Sequence, residues 1–443
     1  MVAQAGQRPR SQRSAQAIQA QHPQRPVMSA PARPPLPIVR LRLLVRTDAA
    51  LALPAYAGSM LRGAWGHALK AMMPLPHGDG QPCALHTRCA YCQVFAPVPR
   101  EEHRLQKFSQ MPAPYVIEPP FPPFGAPADQ PSDNQAAIRA TSASAHGPRT
   151  LRAGETFSFG LVLIGLALQH LPTLVLAWQQ ACQRGLGAGK AACTLLAVHR
   201  EGVAQPLWQA GQGAPQPLDA AALTLPPMPA WLGELTQAAN AQTDQATPAQ
   251  AAASASARQT CTTSRLSLHL HTPLRLQQQG KPATRASLTA RDLLITLARR
   301  CQLLLDTQLG PAAPQQDFGA LTACAQQIQI DARCLNWYDW SRYSNRQRQS
   351  MPMGGLLGTL QLSGPAAALA PFIELLHLGQ WLHLGKETTF GLGRYSLHPG
   401  LVSAAAAITP GPAAVHSIPV RAQRPILRLG KPAADALFTK ASP

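Results

Sequence analysis

Two blocks of the sequence carry regular apolar patterning, and both follow the same order of segments. The blocks cover about residues 38–200 and 262–400. Each opens with a strand pattern and a helix pattern, and each closes with a strand, a helix, a glycine-rich turn and a strand. That order is typical of a βαββαβ unit, present here twice. The sequence therefore predicts an α+β chain with two tandem ferredoxin-like (RRM-like) domains.

The segments outside this patterning differ in composition. Residues 201–261 are mostly Ala, Gln, Pro, Ser and Thr, a composition typical of linkers. We therefore predict a disordered basic arm (1–37), a first domain (38–200) with a Pro-rich, Cys-containing insertion (74–150), a low-complexity linker (201–261), a second domain with a glycine-rich loop (262–400) and a basic tail (401–443).

Apolar periodicity predicts individual elements in both blocks. Residues 38–46 alternate as a strand does, and residues 58–72 place their apolar side chains on one helical stripe. In the second block, residues 264–276 alternate and residues 289–305 form an amphipathic helical pattern. Each block thus begins with a strand followed by a helix.

The charge of the chain is strongly basic and comes mainly from arginine. Lys and Arg number 39 against 20 Asp and Glu, a net charge of +19, and only seven of the basic residues are lysine. Arginine binds phosphate bidentately and stacks on bases, so this excess favours a nucleic-acid partner over a membrane. A compositional bias toward Arg, Ala and Pro is the alternative interpretation.

Membrane and secretion signals are not evident in the sequence. Every stretch of about 18 residues has polar interruptions, which disfavours a transmembrane span, and no apolar segment follows the basic N-terminus. Nine cysteines, three of them clustered, favour a reducing compartment and metal ligation over disulfides. We therefore expect a cytoplasmic protein with no membrane partner.

Two glycine-rich turns, Gly185–Lys190 and Gly385–Gly393, contain a Gly-Lys pair. A Walker A motif also requires a glycine five positions before that pair and a Ser or Thr after it, and neither turn has them. Both turns precede strands rather than helices, which argues against a dinucleotide fingerprint. Gly385–Gly393 remains a candidate for close approach to a polyphosphate chain, with Lys386 as its charge, and an ordinary tight turn is the alternative.

A cluster of metal-ligand residue types occurs within the predicted insertion. It consists of Cys83, His86, Cys89 and Cys92, and thiolates with an imidazole suit tetrahedral zinc. Four ligands within ten residues are closely spaced, so an arrangement that omits His86 is also open. The alternative is a set of free or buried thiols, and any metal here would be structural.

The first predicted helix has a candidate catalytic histidine. His67 lies off its apolar stripe, beside Gly63 and Gly66 and one turn from Lys70. Small residues let an RNA backbone approach, His67 can transfer a proton, and Lys70 can stabilise developing phosphate charge. A solvated helix face is the alternative interpretation.

An aromatic and basic stretch in the second block suggests single-stranded RNA binding. Residues 336–348 interleave Trp and Tyr with Arg342 and Arg346, which offers stacking faces and phosphate-binding groups. A hairpin with buried Trp at the edge of the core is the alternative. A two-metal nuclease is disfavoured because the sequence has no cluster of catalytic carboxylates.

Several segments together resemble one family. The chain is similar to the CRISPR-associated endoribonucleases of the RAMP superfamily that cut precursor crRNA, and the similarity covers about residues 38–400. The segments that carry it are Leu53–Gly66, Cys89–Phe95, Thr272–Leu276, Arg299–Arg300, Trp340–Gln347 and the closing segment Leu382–Tyr395, which is the most specific.

The resemblance implies two ferredoxin-like domains and metal-independent cleavage of CRISPR repeat RNA, with no cofactor for catalysis. Attack by a 2′-hydroxyl on the adjacent phosphate would leave a 2′,3′-cyclic phosphate and a 5′-hydroxyl. The family often has a histidine in or just after its first helix, which points to His67, with Lys70 and Lys386 as charge stabilisers. His77 is the first reserve, and His383 is the next.

The expected partners are CRISPR repeat RNA and other CRISPR effector subunits. A non-catalytic RAMP subunit that binds guide RNA within an effector complex is the alternative function. The residues that we expect to contact RNA are Arg62, Arg342, Arg346, Gly385, Lys386, Thr388, Thr389, Gly391, Gly393 and Arg394.

Overall fold

The computed structural model describes residues 36–75, 77, 83–97, 111–120, 148–216, 218, 223, 225–244, 263–344 and 349–400. The predicted basic tail (401–443) and all of the predicted arm except Leu36 and Pro37 lie outside these residues.

The described residues form helices and strands in both patterned blocks and in the segment between them. The helices are α1 (Gly58–Met72), α2 (Leu171–Arg184), α3 (Ala230–Asp244), α4 (Ala290–Leu309), α5 (Phe318–Gln326) and α6 (Ala366–Leu382). The strands are β1 (Ile38–Thr47), β2 (Leu51–Leu53), β3 (Tyr115–Glu118), β4 (Arg149–Leu151), β5 (Thr156–Ile164), β6 (Cys193–Arg200), β7 (Pro206–Gln209), β8 (Thr263–Leu274), β9 (Gln277–Gln278), β10 (Lys281–Pro282), β11 (Gln329–Asp331), β12 (Leu335–Tyr338), β13 (Ser341–Ser344), β14 (Gln349–Pro352), β15 (Gly355–Pro365) and β16 (Tyr395–Pro399).

Two five-stranded antiparallel sheets organise these elements. The first sheet has the order β3-β5-β1-β6-β7, and the second has the order β11-β15-β8-β16, with β12 also pairing with β15. In both sheets the four principal strands lie in the order second, third, first, fourth along the sequence. The fold is therefore mixed α and β with antiparallel sheets, as the α+β prediction requires.

The two faces of the first sheet pack against different partners. Side chains of a strand alternate between faces, and on β1 one set, including Leu41 and Leu43, shares a core with α1 and α2. Trp65 of α1 and Trp178 of α2 stack there with ring centroids 5.6 Å apart. The opposite face, which includes Ile38, joins the core of the second block. Consecutive side chains at the end of β5 are buried, because both faces of that strand are covered.

The second sheet packs its leucine face against α4 and α6. Leu266, Leu268 and Leu270 of β8 share one core with both helices. Helix α4 begins at an N-cap, where the Thr289 side chain accepts a hydrogen bond from the Asp292 amide, 3.1 Å away. Helix α6 is buried almost all round because it also contacts α3 and lies near the first sheet. No described helix is both long enough and apolar enough to cross a membrane.

Some described elements lie where no regular structure was expected. Strand β3 falls in the Pro-rich region 74–150, and β7 and α3 fall in the segment predicted as linker, 201–261. Local composition failed here because a few apolar side chains anchor each element in the main cores: Trp208 of β7 and Leu232 of α3 are buried. Alanine and glutamine in α3 are also good helix formers.

Candidate functional site

The closing loop, defined here as Gly385–Gly393, is attached to the end of β8 by backbone contacts. The Lys386 amide donates to the Arg275 carbonyl oxygen at 2.8 Å, and the Gly393 amide donates to Pro273 at 3.0 Å. The buried Thr272 hydroxyl donates to the Gly391 carbonyl oxygen at 2.7 Å. These bonds hold much of the closing loop as a packed structure.

The closing loop also contacts the start of α1. The Tyr56 hydroxyl donates to the Phe390 carbonyl oxygen at 3.1 Å, and the Tyr56 ring stacks on Trp340 with centroids 4.7 Å apart. A Cβ at Gly58 would overlap the same Phe390 oxygen, so this approach requires glycine. The loop therefore lies where the first helix of one block meets the last loop of the other.

Beneath the closing loop lies a buried carboxylate that joins the two blocks. Glu118 of β3 is 4% exposed and accepts from Arg40 Nε at 3.1 Å and His383 Nε2 at 3.0 Å, and Arg394 Nε lies 3.6 Å away. Arg40 also donates to the carbonyl oxygen of Gln380 at the end of α6. We call Glu118, Arg40, His383 and Arg394 the Glu118 cluster.

The electrostatics of the Glu118 cluster favour an ionised carboxylate. Burial opposes the charge, but the cations Arg394 and Arg40 and the hydrogen bond from His383 outweigh it and hold the pKa of Glu118 well below its ordinary value. Burial lowers the pKa of His383, whose Nδ1 lies 3.2 Å from the Leu392 carbonyl oxygen. Both ring nitrogens of His383 are thus engaged inside the protein.

The exposed positions of the closing loop are few. Lys386 is exposed and Thr389 is partly exposed, whereas Thr388 is buried. The side chain of Arg394 is 36% exposed, so it can face solvent while it approaches Glu118. Of the loop positions expected to contact RNA, Lys386 is thus the most accessible charged one.

Helix α1 presents the predicted catalytic pair on its accessible side. His67 is exposed and Lys70 is half-buried, and the space next to Gly63 is open for at least 4 Å. Gly66, by contrast, is covered by the Phe95 ring. The predicted open face of small residues is therefore present at Gly63 and closed at Gly66.

Arg62, expected to contact RNA, is engaged inside the protein. Its Nε donates to the Tyr115 hydroxyl at 2.7 Å, and its guanidinium lies over the rings of Phe95 and Phe390, 4.4 and 5.4 Å from their centroids. Its contacts place it between α1, β3 and the closing loop.

The aromatic and basic stretch is described only in part. Trp337 is 45% exposed, and Trp340 is stacked on Tyr56. The backbone of Arg342 lies in β13, but its side chain and all of Arg346 lie outside the described residues.

The structure brings three of the four predicted metal ligands together and places a different histidine beside them. Cys83, Cys89 and Cys92 are buried side by side, and the fourth neighbour is His77. The ring of His86 lies instead with Nδ1 3.2 Å from the Cys83 carbonyl oxygen. The prediction of His86 is therefore corrected to His77, because the His86 ring faces the backbone of Cys83 rather than the three thiols.

Sequence reasoning missed the Glu118 cluster and a polar chain on β8 and β16. His271 Nε2 lies 2.9 Å from Ser396 Oγ, which lies 2.8 Å from His398 Nε2. Burial and the nearby charge of Arg394 lower the pKa of His271 to about 3, so its imidazole is neutral at physiological pH. The signal for β3 was the short β-branched run Tyr115–Glu118 between prolines; nothing local marked Glu118 as buried.

Comparison with known proteins finds two family models that match parts of this chain. Residues 268–395 match the family model described as CRISPR-associated endoribonuclease Cas6, and residues 36–220 match a model described as an N-terminal domain. A search of curated proteins finds no match.

Among solved structures, a chain of a partial Cas6-RT-Cas1–Cas2 complex is similar at 13% identity and a TM-score of 0.42, over 85% of this chain and 49% of that one. The present chain thus spans about half the length of that protein. Thermus thermophilus Cas6 is similar at 12% identity and a TM-score of 0.38, over 82% of this chain and 99% of that one. At these scores the structural similarities carry no argument about function.

The family match is the informative comparison. It begins within β8 and ends at Tyr395, so it includes the entire closing loop and the Thr272 hydroxyl that holds it. The second block of this chain, over residues 268–395, therefore matches the Cas6 family of CRISPR-associated endoribonucleases.

Proposed function

We propose that this protein cleaves CRISPR repeat RNA within precursor crRNA and so releases mature guide RNAs. The observation that carries the proposal beyond the family match of residues 268–395 is the exposure of His67. Of the three histidines considered for proton transfer, His77 and His383 are 8% and 0% exposed, whereas His67 is open to solvent on α1. His67 is the one of these three that an external RNA can reach.

The proposed reaction begins at the 2′-hydroxyl on the 5′ side of the scissile phosphate. His67 accepts the hydroxyl proton, the 2′-oxygen attacks phosphorus, and the bond from phosphorus to the 5′-oxygen breaks. The departing oxygen takes a proton from water, which leaves a 2′,3′-cyclic phosphate and a 5′-hydroxyl. Lys70 lies one turn from His67 and stabilises the added negative charge on phosphorus. In this scheme side chains carry the proton and the charge, and catalysis requires no metal.

RNA binding involves a surface larger than His67 and Lys70. Gly58, which meets the closing loop, and His67 are nine residues apart on α1, or about 13 Å along its axis. An RNA that contacts both therefore extends beyond the catalytic residues, with Lys386 as a phosphate contact away from His67. Trp337 offers an exposed stacking face. The excess of arginine supplies the general attraction to RNA.

We infer that the two sheets belong to tandem ferredoxin-like domains with the RNA path near their junction. The shared strand order of the two sheets supports this inference, as does the position of the closing loop against α1. In this arrangement other CRISPR subunits would receive the mature RNA.

The test is cleavage of a CRISPR-repeat RNA by purified protein in EDTA, with the zinc content of the protein measured afterwards. We expect His67→Ala to slow cleavage by about 10²–10⁴-fold with little change in RNA affinity. His199→Ala, in a partly exposed histidine of β6, is the matched control and should cut at the wild-type rate.

Two results would reject the assignment. If His67→Ala cut at the wild-type rate, proton transfer would occur elsewhere. If folded wild-type protein bound the repeat tightly but never cut it, with or without added divalent metal, it would be a non-catalytic RAMP subunit that binds guide RNA.

A further inference from the structure

A second group of reactive side chains lies apart from the proposed RNA surface, in the segment that follows α1. One ligand atom from each of His77, Cys83, Cys89 and Cys92 lies within 4.8 Å of the other three, and all four residues are buried. His77 Nε2 is 3.2 Å from Cys89 Sγ, and Cys92 Sγ is 3.6 Å from Cys83 Sγ. Three thiols and an imidazole thus converge on one point.

These separations fit the edges of a tetrahedral metal site. Zinc–sulfur bonds of about 2.3 Å and zinc–nitrogen bonds of about 2.0 Å place neighbouring ligand atoms about 3.5–3.8 Å apart. The separations from His77 to Cys89 and from Cys83 to Cys92 are within about 0.4 Å of those values. No separation exceeds 4.8 Å, so a shift of about 1 Å or less brings every pair to a tetrahedral edge.

The His77 ring gives an independent indication of a ligand. Its only described polar contact is with the Cys89 thiol, and its buried Nδ1 has no hydrogen-bond partner among the described residues. A buried imidazole with so little hydrogen bonding is costly. A metal bound at Nε2 would replace the weak contact with the thiol by a coordinate bond, which favours the buried position of the ring.

A disulfide explains the cluster less well. An S–S bond is about 2.05 Å long, and joining Cys83 to Cys92 would leave Cys89 and His77 buried and outside the bond, with the Nδ1 of His77 still unpaired. We propose that His77, Cys83, Cys89 and Cys92 bind one structural zinc ion. Four protein ligands fill the tetrahedron and leave no open position for substrate.

The site anchors the segment beside α1. Cys92 lies in a π-helical turn, Tyr91–Phe95, and Phe95 covers Gly66 and meets Trp65 edge-on with ring centroids 5.7 Å apart. Gln93 of the same turn lies 2.6 Å from His170 Nε2. Metal binding therefore holds this turn against the helix that carries His67. The proposal does not depend on the proposed function.

The experiment measures metal content and cobalt spectra of full-length protein kept reduced. We expect one zinc per chain, and we expect cobalt(II) replacement to give the visible bands of a tetrahedral site with thiolate charge transfer. His77→Ala and Cys92→Ser should lose at least half of the bound zinc, and the zinc-loaded wild-type protein should melt at a higher temperature than the zinc-free form.

His86→Ala and Cys324→Ser are the matched controls, since neither residue belongs to the cluster. Both should keep one zinc and the cobalt spectrum. Retention of zinc by His77→Ala with its loss from His86→Ala would overturn the ligand set. If Cys92→Ser fails to fold, the wild-type cobalt titration still decides: no tetrahedral thiolate spectrum from reduced, folded protein would overturn the site.

Discussion

The two glycine-rich turns have similar composition and different structural roles. The turn Gly185–Lys190 joins α2 to β6 and closes on itself, since the amides of Leu186 and Ala191 each donate to the other's carbonyl oxygen at 2.9 Å. The closing loop Gly385–Gly393 is held by β8 and contacted by α1 and β3. Glycine in Gly185–Lys190 thus serves a local reversal of the chain. Glycine in the closing loop instead allows close contact with distant elements.

Glycine substitutions test this difference between the two turns. Among the predictions, they have the largest expected effect on stability. Gly391 has φ of +90°, and its Cβ position is occupied by Ile117 and Pro119 of the first block. We expect Gly391→Val to lower the free energy of unfolding by about 4 kcal/mol or more, because it combines backbone strain with overlap. Urea unfolding at neutral pH measures the change.

Gly189→Ala is the control in the first turn. Its Cβ would meet no atom within 4 Å, and its φ lies outside the left-handed region. We expect a change below about 0.5 kcal/mol. Equal destabilisation by both substitutions would contradict the contrast between the two turns.

The Glu118 cluster is the next most sensitive point, because it supports the closing loop from below. We expect Glu118→Gln to destabilise the protein by about 2–3 kcal/mol at pH 7, since it leaves the guanidinium of Arg40 without its buried counter-charge. Asp331→Asn, in an exposed pair with Arg333, is the matched control and should have a much smaller effect.

The effect of Glu118 also has a predicted pH dependence. Its pKa is lowered in the folded protein, so its stabilisation is present above the unfolded value of about 4.3. It is lost progressively as the pH falls below that value toward the folded pKa. The difference between wild type and Glu118→Gln should therefore shrink between pH 5 and pH 3, and a constant difference would contradict an ionised Glu118.

Charge removal at the two lysines gives the smallest expected effect. We expect Lys386→Gln to weaken repeat-RNA binding by about 2–10-fold and to reduce the slope of log affinity against log salt by about 1, as for one lost phosphate contact. Lys190→Gln removes the same charge from the first turn and should change neither quantity beyond general electrostatics. A filter-binding series over salt concentration compares them, and identical slopes for both variants would remove Lys386 from the interface.

The sequence alone determined the elements whose apolar period is local and long. Strand β1 and helices α1 and α4 were predicted close to their observed bounds, since each has a full stripe or alternation of apolar residues. The convergence of Cys83, Cys89 and Cys92 was also predicted from their spacing. The resemblance carried by the closing segment is confirmed by the family match.

Tertiary structure decided what those local patterns contact. Strand β3 has only four residues, and it is ordered because β5 pairs with it and the core of the second block covers one of its faces. Glu118 is at the end of β3 and meets its cations from residues 78 to 276 positions away in sequence.

The same reason explains the exchange of His86 for His77. Spacing within a turn indicates which residue types are close in sequence, but the direction of each side chain depends on how the turn packs against α1 and its neighbours. The apolar period of a segment indicates which helix or strand that segment forms. Contacts between distant elements depend instead on the packing of the entire core.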